Sequence, residues 1–377
     1  MKKTILMSLT LFLAVPCYGA TITKSIGTAS RDFSTMTLWE ANLDDDPTYD
    51  AGDIAVGECY ADSDFTEGLL INGGGTIGLS SIKLTVPSAE RHDGTSGTGV
   101  VDKPAVIADI EIDGTVTTVI EWLEVDGGGL EHAANTAEGL VYLGDATQNH
   151  GFANLIVHDV SGNDAEVLIC ITQGSQAGAN ILDCIAYDVL VTTVTAGQDA
   201  IGIIATSVGG RNWNISNNTV HKITRNTGDG KGVGIQFPDD AGSEVQNNIS
   251  TDASGTSSGT IASYNPSSVS NATVSHNLAS DDSDTGTGSI GANDGVLTAN
   301  LFVSTVDGSE DLHLKSGANA IDVGTDLVTT PTGVNIDIDG RDRDAQGDTW
   351  DMGADEFVSG GTTDFLYDST LYDATIY

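Results

Sequence analysis

The chain has 377 residues, of which 54 are Asp or Glu and only 14 are Lys or Arg, for a formal charge of −40. A surface of that sign excludes nucleic-acid binding by phosphate neutralisation and adsorption to an anionic membrane. The 39% hydrophobic fraction excludes disorder along the whole chain, and no stretch beyond residue 20 is apolar enough to span a bilayer.

The chain opens with Lys2 and Lys3, then the apolar run Thr4–Val15, then small residues to Ala20. This pattern predicts a removable export signal of bacterial style over residues 1–20. Pro16 stands before Cys17, where a lipoprotein signal needs a small residue. Cleavage leaves 12 basic residues against 54 acidic ones, a charge of −42. The expected setting is therefore extracellular or at the cell surface, rich in salt or calcium, where cations screen the self-repulsion. Three cysteines remain, Cys59, Cys170 and Cys184, each inside an apolar run. They read as buried thiols, with a Cys170–Cys184 disulfide allowed by the compartment but not required.

From Trp122 onward a degenerate repeat appears. Short runs enter an apolar strand at Trp122, Asn154, Asp183, Asn217, Asn247, His276 and Ala299, with successive spacings of 32, 29, 34, 30, 29 and 23. A second set of apolar runs interleaves with them, including GLVYLG, VLICIT, GIIATS and GIQF. Each period of about 30 residues thus carries at least two short strands separated by Gly, Asn, Ser and Asp. One such unit cannot bury its own apolar face, so the units must stack. The residue after each of the last four starts is Asn218, Asn248, Asn277 and Asn300, which predicts a ladder of stacked amides. No sustained helical periodicity follows Leu43.

The Ser25–Leu43 segment, the ISNNTV run at Ile215–Val220 and the ending resemble a known group. The ending comprises DLHLKSGANAIDVG from Asp311, DIDGRDRD from Asp337 and WDMGADEF from Trp350. Together they resemble the right-handed parallel β-helix proteins of the pectate-lyase-like superfamily, in secreted and phage-associated forms. The resemblance implies an all-β, single-stranded right-handed parallel β-helix over about residues 21–358. It also implies a short N-terminal capping helix containing Trp39 and a C-terminal closing element. Arg341 and Arg343 are expected to pair with Asp337, Asp351 or Glu356 in that element. Residues 359–377 form a Gly linker and a Tyr-rich tail, read either as a loose end or as a strand for self-assembly.

Candidate chemistry is sparse. The paired Asp and Gly-His-Gly motifs of the galacturonan hydrolases are missing, as is the Arg-rich Ca²⁺ segment of the pectate lyases. The densest basic group is Arg211, Lys222, Arg225 and Lys231. Stacking the repeats places His158, Tyr187 and His221 in one column, with Lys222 and Arg225 beside it. These five are the candidate catalytic set, with Arg211 and Lys231 for an acidic substrate, since a lyase needs a base, an acid and a cation. The competing reading is an exposed polar ladder with no chemistry, since any solenoid stacks polar residues by construction. The next column places Asp159 with Asp188 and Asp252 with Asp281, pairs that either bind Ca²⁺ or sit as solvated turn residues. Two functions follow. One is a non-enzymatic extracellular surface, adhesion or structural module contacting a glycan or a surface protein. The alternative is a polysaccharide lyase acting on an acidic glycan.

Overall fold

The computed structural model describes residues 19–359, apart from residues 46, 194, 196 and 227 and the stretches 105–109, 132–138, 145–148, 172–178, 207–212, 256–260, 267–270, 284–285 and 347–348. Three parallel sheets run its length. The first has nine strands, from Thr21–Ile26 to Thr273–Ser275. The second has seven, from Val101–Asp102 to Leu278–Ala279, and the third has seven, from Leu69–Ile71 to Ile261–Pro266. Successive strands visit the sheets in rotation. His150–Ala153, Ile156–Gly162 and Glu166–Ile171 make one turn, and each pairs in parallel with a strand of the next. The chain is a parallel β-solenoid of about seven turns, with three strands per turn.

Like residues stack on like. Ile120, Phe152, Ile181, Ile215 and Val245 lie in one inward column of the first sheet. Val125, Val157, Ala186 and Val220 line the second. These columns fuse into one continuous core. β-Branched and aliphatic side chains suit this surface, because strands about 4.8 Å apart pack them in contact at every level.

The repeat starts are the corners between the first and second sheets. Trp122, Asn154, Asp183, Asn217, Asn247 and His276 all adopt left-handed backbone, with φ between 50° and 66°. Asn and Asp tolerate that conformation best, which explains their recurrence there. A second left-handed column lies within the second sheet: Asp159, Asp188, Lys222 and Asp252, with φ from 55° to 68°. These residues are skipped in the strand pairing.

The N-terminal turn is closed by a five-residue helix, Met36–Glu40. Thr35 caps it by accepting a hydrogen bond from the Leu38 N–H, and Met36 and Trp39 are buried. A side chain at Gly57 would strike the Trp39 ring at 2.7 Å, so glycine there lets the tryptophan lie against the strand. At the other end, Thr287 and Ile290 bridge to Ser275 and Leu278. Asp281 and Ser283 accept hydrogen bonds from the Ser263 and Tyr264 N–H groups, covering the exposed edge of the third sheet.

The C-terminal closing element lies along the flank. The antiparallel hairpin Phe302–Val306 with Ser309–Leu314 packs on the outer face of the second sheet. Val296, Leu301, Phe302, Leu312, Leu314, Ile338 and Met352 cover Ile156, Ile185, Ile249 and Leu278 there, making a second core. All three described cysteines are free and buried. Cys184 belongs to the interior core and Cys170 to a small apolar cluster with Val167, Ile201 and Ile204, so the allowed disulfide does not form. Among the described residues, no helix is long and apolar enough to cross a membrane.

Candidate functional site

The second sheet places Asp126, His158, Tyr187, His221 and Thr251 in register on its outer face. His158 and Tyr187 stack with ring centroids 4.8 Å apart and planes within 3°. His158 Nε2 lies 3.0 Å from Glu124 Oε1, and His221 Nδ1 lies 2.9 Å from Thr251 Oγ1. Burial pulls His221 below the ordinary histidine range despite the nearby Asp252 carboxylate. Burial also pushes the Tyr187 phenol above its ordinary range.

This column is covered. His158, Tyr187 and His221 are only 6%, 4% and 2% exposed. Phe302 of the hairpin meets the His221 ring edge-on at 5.9 Å. The three candidates are brought together, but His158 Nε2 and His221 Nδ1 are bonded to neighbours within the protein. The three side chains form the floor of an internal interface, because the chain's own later segments cover this outer face.

The basic residues do not converge on that column. Lys222 Nζ sits 2.7 Å from Asp188 Oδ1 and 2.5 Å from Asp307 Oδ1, tying the sheet to the hairpin. Arg225, 1% exposed, donates to the Thr193 and Thr195 carbonyls at the far end of its strand. Lys231 precedes a strand of the third sheet, with Nζ 3.4 Å from Gln236 Oε1. Arg211 lies outside the described residues.

The amide ladder has three rungs. Asn218 Nδ2 donates to Asn248 Oδ1 at 2.9 Å, and Asn248 Nδ2 donates to Asn277 Oδ1 at 3.0 Å. The same oxygens also accept from the backbone N–H groups of Asn218 and Asn248. Asn300 is not a rung. It ends an exposed 3₁₀ turn, because the chain has already left the solenoid.

The aspartate column also divides. Asp159 lies beside His158 and Asp126, while Asp188 engages Lys222. Asp252 accepts from Thr298 Oγ1 at 2.8 Å, and Asp281 is committed to the Ser263 N–H. Asp252 and Asp281 thus each already accept a hydrogen bond within the protein.

Sequence reasoning missed what the corner residues hold. Asn154 Nδ2 donates to the Ile336 and Asp337 carbonyls, and Asn217 Nδ2 to the Val334 carbonyl at 2.7 Å. Asn247 exchanges two bonds of 2.8 Å with the Thr325 backbone. Asp183 Oδ1 accepts from Arg343 Nη2 at 3.0 Å. Four consecutive corners thus grip the C-terminal segment. Arg343 also pairs with Glu356 at 3.0 Å, as expected, whereas Arg341 pairs with Asp339. His313 lies between Asp311 and Asp339. Burial opposes its charge, but bonds to these two carboxylates push it up to about 11. The recurrence of Asn and Asp at the starts was the visible signal; their partner 78 to 183 residues away left none.

Compared with known protein families, curated proteins and solved structures, the chain shows no match to any.

Proposed function

We propose that the protein is a secreted, non-enzymatic surface module that presents its flat sheets to a glycan or another protein. The resemblance to the secreted pectate-lyase-like β-helix proteins supports the setting, and the charge of −40 suits a cation-rich exterior. One observation carries the reading: the His158–Tyr187–His221 column, the best candidate for catalysis, is buried, with the chain's own hairpin packed on Tyr187 and His221. An acid or base must reach its substrate within hydrogen-bond distance, and these groups face packed protein. The first sheet offers a different surface. Asn180, Asn214, Glu244 and Thr273 lie in register along its outer face, with Asn214 Nδ2 bonded to Glu244 Oε2 at 3.0 Å. Such a row of amide, carboxylate and hydroxyl groups suits hydroxyl-rich or polypeptide partners. The test is a panel of polysaccharides, scored by pull-down and by ultraviolet absorbance of unsaturated products. Retention on a glycan without new absorbance is the expected result. Unsaturated product that disappears in His221→Ala would replace this reading with the lyase.

A further inference from the structure

Where the hairpin tip meets the second sheet, three carboxylates converge. Asp188 comes from the left-handed column, Asp307 from the hairpin turn, and Glu310 from the returning strand. One oxygen from each lies within 4.8 Å of the others. The Lys222 ammonium bridges Asp188 and Asp307. Glu310 is left over. It is 5% exposed, and its Oε1 is buried with no hydrogen-bond partner among the described residues. A buried carboxyl oxygen left without a partner is costly, and one ammonium faces three carboxyl groups here.

We propose that Asp188, Asp307 and Glu310 hold a Ca²⁺-class cation that clasps the hairpin to the solenoid. Oxygens this close can converge on one ion, and a set drawn from a left-handed backbone position, a hairpin turn and a strand suits the flexible, irregular oxygen shell that Ca²⁺ accepts. Mg²⁺ demands a near-ideal octahedron at about 2.1 Å and keeps most of its water, which a set of three carboxylates from separate segments serves less well. Asp307 is mostly exposed, which gives the ion an entry path and leaves room for water ligands. Lys222, itself partly exposed, is the built-in competitor: it withdraws to solvent when the ion binds. The site differs from the Asp159–Asp188 and Asp252–Asp281 pairs suggested by sequence. It is also independent of whether the protein binds glycans.

The experiment titrates the full chain with Ca²⁺ by calorimetry and with Tb³⁺ by luminescence, at constant ionic strength. One saturable site is expected. Asp307→Asn and Glu310→Gln each weaken it at least tenfold, Asp159→Asn leaves it unchanged, and Lys222→Met tightens it about tenfold. The Asp307 and Lys222 variants alter partly or mostly exposed side chains, so they report even if Glu310→Gln perturbs folding. The proposal is overturned if neither the parent nor Lys222→Met binds saturably. It is equally overturned if Asp307→Asn binds as the parent does, or if Asp159→Asn weakens binding as much as Asp307→Asn.

Discussion

Arg343 reaches Asp183 across 160 residues of sequence, with Nη2 3.0 Å from Oδ1 and neither side chain exposed to solvent. The same guanidinium donates to the Gly353 and Ala354 carbonyls and to Glu356. One side chain therefore joins a corner of the solenoid to two points of the C-terminal segment. Removing one partner of a buried pair costs about 3–5 kcal/mol, since the other charge stays buried. Asp183→Ala leaves Arg343 paired with Glu356, so it should lower unfolding stability by about 1–3 kcal/mol in a denaturant titration. A loss under about 1 kcal/mol would mean that the pair contributes no net attachment.

The amide ladder makes a graded prediction. Asn248→Ala removes bonds on both sides and leaves the Asn218 backbone N–H without its Asn248 acceptor. Each buried donor left unsatisfied costs about 1–3 kcal/mol. Asn300→Ala, on an exposed turn, should stay within about 0.5 kcal/mol of the parent. Equal losses in the two variants, read from thermal melts, would contradict the three-rung ladder.

A third prediction concerns pH. Burial pushes Asp102, inside the core, up to about 7 from an ordinary value of 3.8. The folded state thus retains a proton that the unfolded chain releases near pH 4. This group's contribution is most favourable below pH 4 and becomes unfavourable as pH rises to 7, by up to about 4 kcal/mol. Burial lowers His92 and His150 to about 4, which acts in the opposite direction as pH falls from 6.5 to 4. Asp102→Asn isolates the carboxyl. Its stability relative to the parent should rise between pH 5 and pH 8, measured from denaturation midpoints. A difference that stays constant with pH would show that Asp102 does not titrate in this window.

The covered column yields a fourth prediction. Tyr187→Ala should cost about 3–5 kcal/mol, as for any large buried side chain, because it removes the ring under the hairpin and stacked on His158. Limited proteolysis should then cut the 302–314 region faster than in the parent. A stable variant with an unchanged cleavage pattern would place Tyr187 in an open site instead.

The solenoid was legible in the sequence because stacking forces a fixed offset: Asn218, Asn248 and Asn277 must recur to bond one another. The same reasoning erred at Asn300, where the spacing had already fallen from about 30 to 23 residues. That shortening marked the chain leaving the stack. The histidine and tyrosine column was also legible as a column. Its burial was not, because the covering residue Phe302 has no repeat relation to His221. Asp307 and Glu310 were invisible for the same reason. Periodicity reports contacts between turns, whereas the hairpin folds back from outside the period.

The central claim is that the hairpin lies on the Tyr187–His221 part of the second sheet, and a zero-length carbodiimide cross-link tests it most directly. Lys222 Nζ touches Asp307 Oδ1, 85 residues further along the chain. Mass spectrometry of digested, monomeric, cross-linked protein should recover a peptide joining Lys222 to Asp307. Recovery of Lys222 joined to Asp188 alone, with no link to the hairpin, would contradict the account.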